Sequence, residues 1–158
     1  MMVSIHVDGW KRNIRFSAAH CIIGHDTCGR LHGHTYAVSA TITGTPQPDG
    51  MVMDFSDVTK VLKAIVDDLD HYLLIPQHHE NVTVDKDSVR FTSQGKQYLI
   101  PKQDCTLLPL EQITAEHLAA YILKQVQAKL TLPSTINTLE IHVDEGFGYV
   151  AAAAATFP

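Results

Sequence analysis

His32-Gly33-His34-Thr35-Tyr36-Ala37-Val38-Ser39-Ala40-Thr41-Ile42-Thr43-Gly44 reads as one long strand. His34, Tyr36, Val38, Ala40 and Ile42 share one parity and Thr35, Ala37, Ser39, Thr41 and Thr43 the other, so one face is apolar and the opposite one mostly hydroxylated. Upstream, Val3, Ile5 and Val7 alternate with polar neighbours as far as the turn at Asp8-Gly9, and Ile14, Phe16, Ala18 and His20 alternate again. These predict two further strands, arranged as a hairpin. His20 shares the inward parity of Phe16 and Ala18, and His32 and His34 share that of the long strand's apolar face. Three imidazoles are therefore expected to converge at one end of two neighbouring strands, with residues 21–31 as the loop between them.

Downstream, Pro46, Pro48 and Gly50 mark a turn-rich connection, and Met51-Val52-Met53 leads to Asp54-Phe55-Ser56, where Ser56 is expected to cap a helix. Val58, Val61, Leu62, Ile65, Val66 and Leu69 form its apolar stripe. Pro76 forbids its continuation. Residues 76–112 read as an excursion from the core: 81–84 and 88–100 predict a small hairpin around Ser93-Gln94-Gly95-Lys96, and 101–112 are expected to be irregular. Thr114 caps a second helix, with Glu116 favourably placed in its first turn, the stripe Leu118, Ala119, Ile122, Val126 and Leu130, and Pro133 beyond its end. Leu139, Ile141 and Val143 define another long strand, and 149–155 a last one rich in alanine. The order β-β-α, excursion, α-β-β predicts an α+β fold whose antiparallel sheet carries both helices on one face.

With 158 residues, 45% hydrophobic and 18% charged, the chain should form one domain over 1–158 around one core. A net charge of -5 invites neither nucleic acid nor an anionic membrane. No apolar run approaches the ~20 residues of a spanning helix, and residues 1–11 lack the apolar segment of a signal peptide. A cytoplasmic protein is expected. Three cysteines, an odd number without framework spacing, suggest reduced thiols and leave Cys28 free to be nucleophile, base or ligand.

Three neutral imidazoles leave one position of a tetrahedral zinc open, the catalytic arrangement. Against this stands the possibility that His32 and His34 are merely hydrogen-bonded residues at a loop end. Cys28 could close a Cys/His3 structural site or remain a reactive thiol beside the metal, and its spacing decides neither. Asp70-His71, just beyond the first helix, can act as an acid/base dyad in which the carboxylate fixes the imidazole tautomer, or be a helix-end histidine near the dipole. Glu145 shares the inward parity of Leu139, Ile141 and Val143, where a carboxylate needs a hydrogen-bonded partner. It could grip an amino-pyrimidine edge, or be an exposed loop acid if the strand has already bent. His6, His25, His78, His79, His117 and His142 have no comparable context. Cys21 and Cys105 read as packing or surface thiols.

Taken together, Phe16-Ser17-Ala18-Ala19-His20, Cys28-Gly29-Arg30-Leu31-His32-Gly33-His34, Met53-Asp54-Phe55, Leu69-Asp70-His71, Thr114-Ala115-Glu116 and the glutamate at 145 resemble the 6-pyruvoyl- and 6-carboxytetrahydropterin synthase family. The matching pieces follow the family's order across 16–145. The resemblance implies the tunnelling fold, a four-stranded antiparallel sheet with two helices, joined edge to edge into homo-oligomers, commonly hexamers, with active sites at subunit boundaries. It implies zinc on His20, His32 and His34, Cys28 as catalytic base, Asp70 and His71 as its partners in proton transfer, and Glu145 as anchor of a small-molecule pterin. Three residues between Cys28 and His32 look like the carboxy-tetrahydropterin branch, which feeds queuosine and archaeosine precursors, whereas pyruvoyl enzymes typically have five. The implied substrate is 7,8-dihydroneopterin triphosphate. The 76–112 segment is longer than that of the family's compact bacterial members, and Gly146 stands where a hydroxyl residue is usual. Glu140 is a weaker substitute for Glu145.

Overall fold

The strand read from residue 32 is β3, His32–Gly44, the hub of a seven-stranded sheet in the structure, a computed structural model describing residues 1–158. Strands β1, Val3–Val7, and β2, Arg15–His20, both pair antiparallel with β3: Val7 lies opposite Ala40 and Arg15 opposite Ala37. They are consecutive stretches along one side of β3, so the hairpin expected between them does not form. Bonds from Ile14 N to Gly9 O and from Val38 N to Ile14 O carry the chain across the gap.

Helix α1, Phe55–Asp67, starts at Asp54, whose carboxylate accepts from Ser56 N at 2.7 Å. The cap therefore stands two residues before the expected Ser56, whose own amide is the donor that needs satisfying. The chain then enters β4, Tyr72–Pro76, which runs parallel to β2, and later β8, Cys105–Leu108, which runs parallel to β4. The sheet is consequently mixed and larger than the four-stranded antiparallel one anticipated. Strand β4 escaped the periodicity because Leu73, Leu74 and Ile75 are all buried, which removes alternation. Between these strands, β5, Val82–Val84, β6, Ser88–Ser93, and β7, Lys96–Pro101, form a separate antiparallel meander. It contains the hairpin expected around residues 93–96. The segment 101–112, expected to be irregular, holds a single 3-10 turn at Lys102–Asp104 as well as β8.

Helix α2, Ala115–Lys129, is capped as predicted: Thr114 Oγ1 accepts from His117 N at 3.2 Å. Strands β9, Ile136–Asp144, and β10, Val150–Thr156, complete the antiparallel half of the sheet beside β3. Phe16, Tyr36, Val38, Ile42, Leu139 and Ile141 join Val58, Leu62, Leu118 and Ile122 of the two helices in one buried cluster of 28 residues. Each fully buried large side chain there contributes about 1.5–3 kcal/mol. A second cluster of Cys21, Ile23, Leu73, Ile75, Val89 and Phe91 fastens the meander to the start of the 21–31 loop. No helix is long and apolar enough to cross a membrane.

Candidate active site

Antiparallel register brings His20 opposite His32 and Ala18 opposite His34. Gly33 permits this approach, since a Cβ there would lie 2.7 Å from the Ala18 carbonyl oxygen. The rings of His20, His32 and His34 stand with centroids 4.5 to 5.2 Å apart, and one ligand nitrogen from each lies within 4.8 Å of the other two. Each of two rings donates its Nδ1–H to a backbone carbonyl at 2.7 Å: His20 to Ile113, the residue before the α2 cap, and His32 to Arg30. That fixes the tautomer and leaves Nε2 with its lone pair. Burial lowers the His20 pKa to about 4, against the opposing pull of the Ile113 carbonyl, so at neutral pH this ring is in its ligating form. The donor set suits a tetrahedral metal ion such as zinc, with one position left open.

The histidines line a pocket of about 430 Å³ that Cys28 and Glu145 also line. Glu145 follows the end of β9 directly. Its amide donates to Tyr149 O at 3.1 Å, and its Oε2 comes within 3.9 Å of His34 Nε2. The inward parity read from Leu139, Ile141 and Val143 thus persists one residue past the strand. Glu140, the weaker substitute, instead pairs with His142 at 3.3 Å, at the opposite parity. Cys28 is half-buried and stands outside the group of nitrogens that could share an ion. Burial pushes both Cys21 and Cys105 up to about 11, which keeps these two thiols protonated at neutral pH.

Tyr36 has a place in the site that its alternation did not announce. It is fully buried, stacks on Phe16 and brings its hydroxyl within 3.3 Å of His20 Nε2. Burial, reinforced by Glu145, raises its pKa and keeps the phenol protonated.

Asp70 and His71 lie outside this pocket. Asp70 Oδ1 accepts from Ser17 N at 2.7 Å, its Oδ2 holds His71 Nδ1 at 2.8 Å, and the His71 amide donates to Ser17 O at 2.7 Å. The bond from Ser17 N, followed by the His71 imidazole, holds the Asp70 carboxyl below its usual range. His71 adopts φ 64, uncommon outside glycine, and its side chain is 83% exposed. The dyad geometry read from the sequence is present, but neither residue lines the pocket of its own chain.

The model of a family described as 6-pyruvoyl tetrahydropterin synthase matches residues 10–154. The chain belongs to that family. It is 38% identical over 149 residues to a protein of Methanocaldococcus jannaschii named putative 6-carboxy-5,6,7,8-tetrahydropterin synthase, with 91% of each chain covered. A 6-carboxy-5,6,7,8-tetrahydropterin synthase of Bacillus subtilis is 32% identical over 139 residues, covering 85% of this chain and 77% of that one. Among solved structures, the 6-pyruvoyl tetrahydropterin synthase of Plasmodium vivax superposes with a TM-score of 0.90 at 27% identity over 99% of both chains. The synthase family's fold thus accommodates the additional strands β4 and β8 and the meander between them.

Proposed function

We propose that the protein is a zinc-dependent 6-carboxy-5,6,7,8-tetrahydropterin synthase. It takes 7,8-dihydroneopterin triphosphate and water to that product, acetaldehyde and triphosphate. The observation that carries this reading is the meeting, in the lining of one pocket, of three metal-competent histidines, a thiol outside their group and a carboxylate. The three-residue spacing from Cys28 to His32 and the names of the M. jannaschii and B. subtilis relatives support the carboxy product.

His20, His32 and His34 would hold the zinc, which when bound would supply Lewis-acid chemistry toward the substrate's side-chain oxygens. Glu145 accepts hydrogen bonds from the amino-pyrimidine edge of the pterin and orients the side chain toward the histidines. Cys28 withdraws a proton from that side chain, and His71, its tautomer fixed by Asp70, is the second proton carrier. Because Asp70 and His71 do not line their own chain's pocket, a neighbouring copy in a homo-oligomer supplies them. The apolar side chains of Phe147, Tyr149 and Val150, exposed beside Glu145, favour such an assembly.

A second reading, 6-pyruvoyl-tetrahydropterin synthase, is favoured by the likeness to the P. vivax enzyme. Mass analysis of the pterin formed by purified, zinc-loaded protein decides between them. A carboxylated tetrahydropterin supports the proposal; a pyruvoyl pterin without acetaldehyde replaces it with the second reading.

A further inference from the structure

The loop that carries Cys28 has little packing of its own. From Gly24 to Leu31 only Gly29 is buried, so apolar contacts do not set the position of the thiol. Hydrogen bonds do. Inside the loop, Ile22 N donates to Cys28 O at 2.7 Å, Gly29 N to His25 O at 2.9 Å, and Cys28 N to His25 Nδ1 at 3.1 Å.

Further bonds come from the segment 76–112. Ser93 ends β6 at the parity of Val89 and Phe91 and is only 2% exposed, which makes it, with His20, one of the two buried polar side chains of the chain. Its hydroxyl donates to Gly29 O at 2.6 Å. Gln94, at the tip of the β6–β7 turn, donates Nε2 to His25 O at 2.8 Å and also to Asp26 O. Gln112 pairs both ends of its amide with Ile23, accepting from its N at 3.0 Å and donating to its O at 2.8 Å. A Cβ on Gly29 would meet the Gln94 side chain at 3.2 Å, so the loop lies directly against the turn. Cys28 is thereby bracketed on both sides by bonded carbonyls, at residues 25–26 and at 29. A buried hydroxyl left unpaired would cost about 1–3 kcal/mol, so Ser93 locks as well as touches the loop.

We propose that Ser93 and Gln94, backed by Gln112, are positioning residues that hold the Cys28 thiol at the histidine pocket, and that this is the work of the inserted meander. The proposal rests on the reading of Cys28 as the catalytic base. Misplacing a proton-transfer group by about 1 Å can cost up to ~100-fold in rate, so the clamp acts on kcat rather than on substrate binding.

The test compares Ser93→Ala, Gln94→Glu and their double variant with Ser93→Thr, which keeps the hydroxyl, and with Arg90→Ala on the opposite face of β6. Four readouts are followed: kcat and KM, bound zinc, and the rate of Cys28 alkylation by iodoacetamide, mapped by peptide mass. The double variant should keep full zinc and KM within about twofold, lose roughly tenfold or more in kcat, and alkylate Cys28 several-fold faster. Gln94→Glu, isosteric but presenting a carboxylate to two carbonyls, should account for much of the loss. Ser93→Thr should recover most of what Ser93→Ala loses, and Arg90→Ala should change nothing. Unchanged Cys28 alkylation in the double variant overturns the clamp. Faster alkylation with unchanged turnover upholds the clamp and overturns the catalytic reading of Cys28.

Discussion

His20, His32 and His34 stand on paired strands, two of them with Nδ1 bonded to backbone carbonyls, whereas His71 leans on one neighbouring carboxylate with most of its ring in solvent. The first set is assembled by sheet register and needs nothing outside the chain. The second is tied to Ser17, whose amide donates to the Asp70 carboxylate and whose carbonyl accepts from the His71 amide, yet it does not line the histidine pocket. The contrast separates a cluster oriented inside one chain, which could take a metal ion there, from an exposed dyad that, in the reading proposed above, acts only where another surface meets it.

The largest effect should come from breaking the histidine cluster. His34→Ala should lose stoichiometric zinc and about a thousandfold or more of turnover, measured by metal analysis and steady-state rates. Cys28→Ala should follow, with zinc retained and turnover lowered about 10²–10⁴-fold. Loss of zinc in that variant would instead make Cys28 a fourth ligand of a closed structural site.

His71→Ala addresses the exposed set. It should lower kcat about 100-fold while its melting temperature stays close to that of the parent, because an exposed ring takes little part in packing. Mixing it with Cys28→Ala under conditions of subunit exchange should restore part of the activity, since one mixed boundary then holds both intact groups. No recovery would place the whole reaction within one chain.

The smallest effect is on stability against pH. The folded-state pKa of Asp70 lies below its ordinary value of 3.8, so the folded state binds its proton less readily than the unfolded one. The resulting stabilisation is fully present above pH ~4 and is lost as pH falls through the folded pKa. Acid titrations of the parent and Asp70→Asn, followed by circular dichroism, should converge on acidification. A gap that persists at low pH would assign the role of Asp70 to shape rather than charge.

The convergence of His20, His32 and His34 was legible because strand parity is a local property and the register of β2 on β3 preserves it. The Thr114 cap and the residue 93–96 turn were legible for the same reason. Strand β4 was hidden because a run buried on both faces, straight after a helix, has no period to read. Its parallel partner β8 depends on β4 and disappeared with it. The false hairpin of β1 and β2 shows the converse: alternation identifies strands but not which strand they pair with. The separation of Asp70-His71 from the pocket follows from their pairing with Ser17, 53 residues away in sequence between Ser17 and Asp70, which no local pattern encodes. Ser93 did leave a signal, a hydroxyl at the buried parity of Val89 and Phe91, and such a residue asks for a buried partner.

The central claim is that this pocket cleaves carbon–carbon as well as carbon–oxygen bonds of its substrate. Its most direct test is the ratio of acetaldehyde to triphosphate released from 7,8-dihydroneopterin triphosphate by the zinc-loaded protein. A ratio near one throughout the reaction is predicted; triphosphate released without acetaldehyde would contradict it.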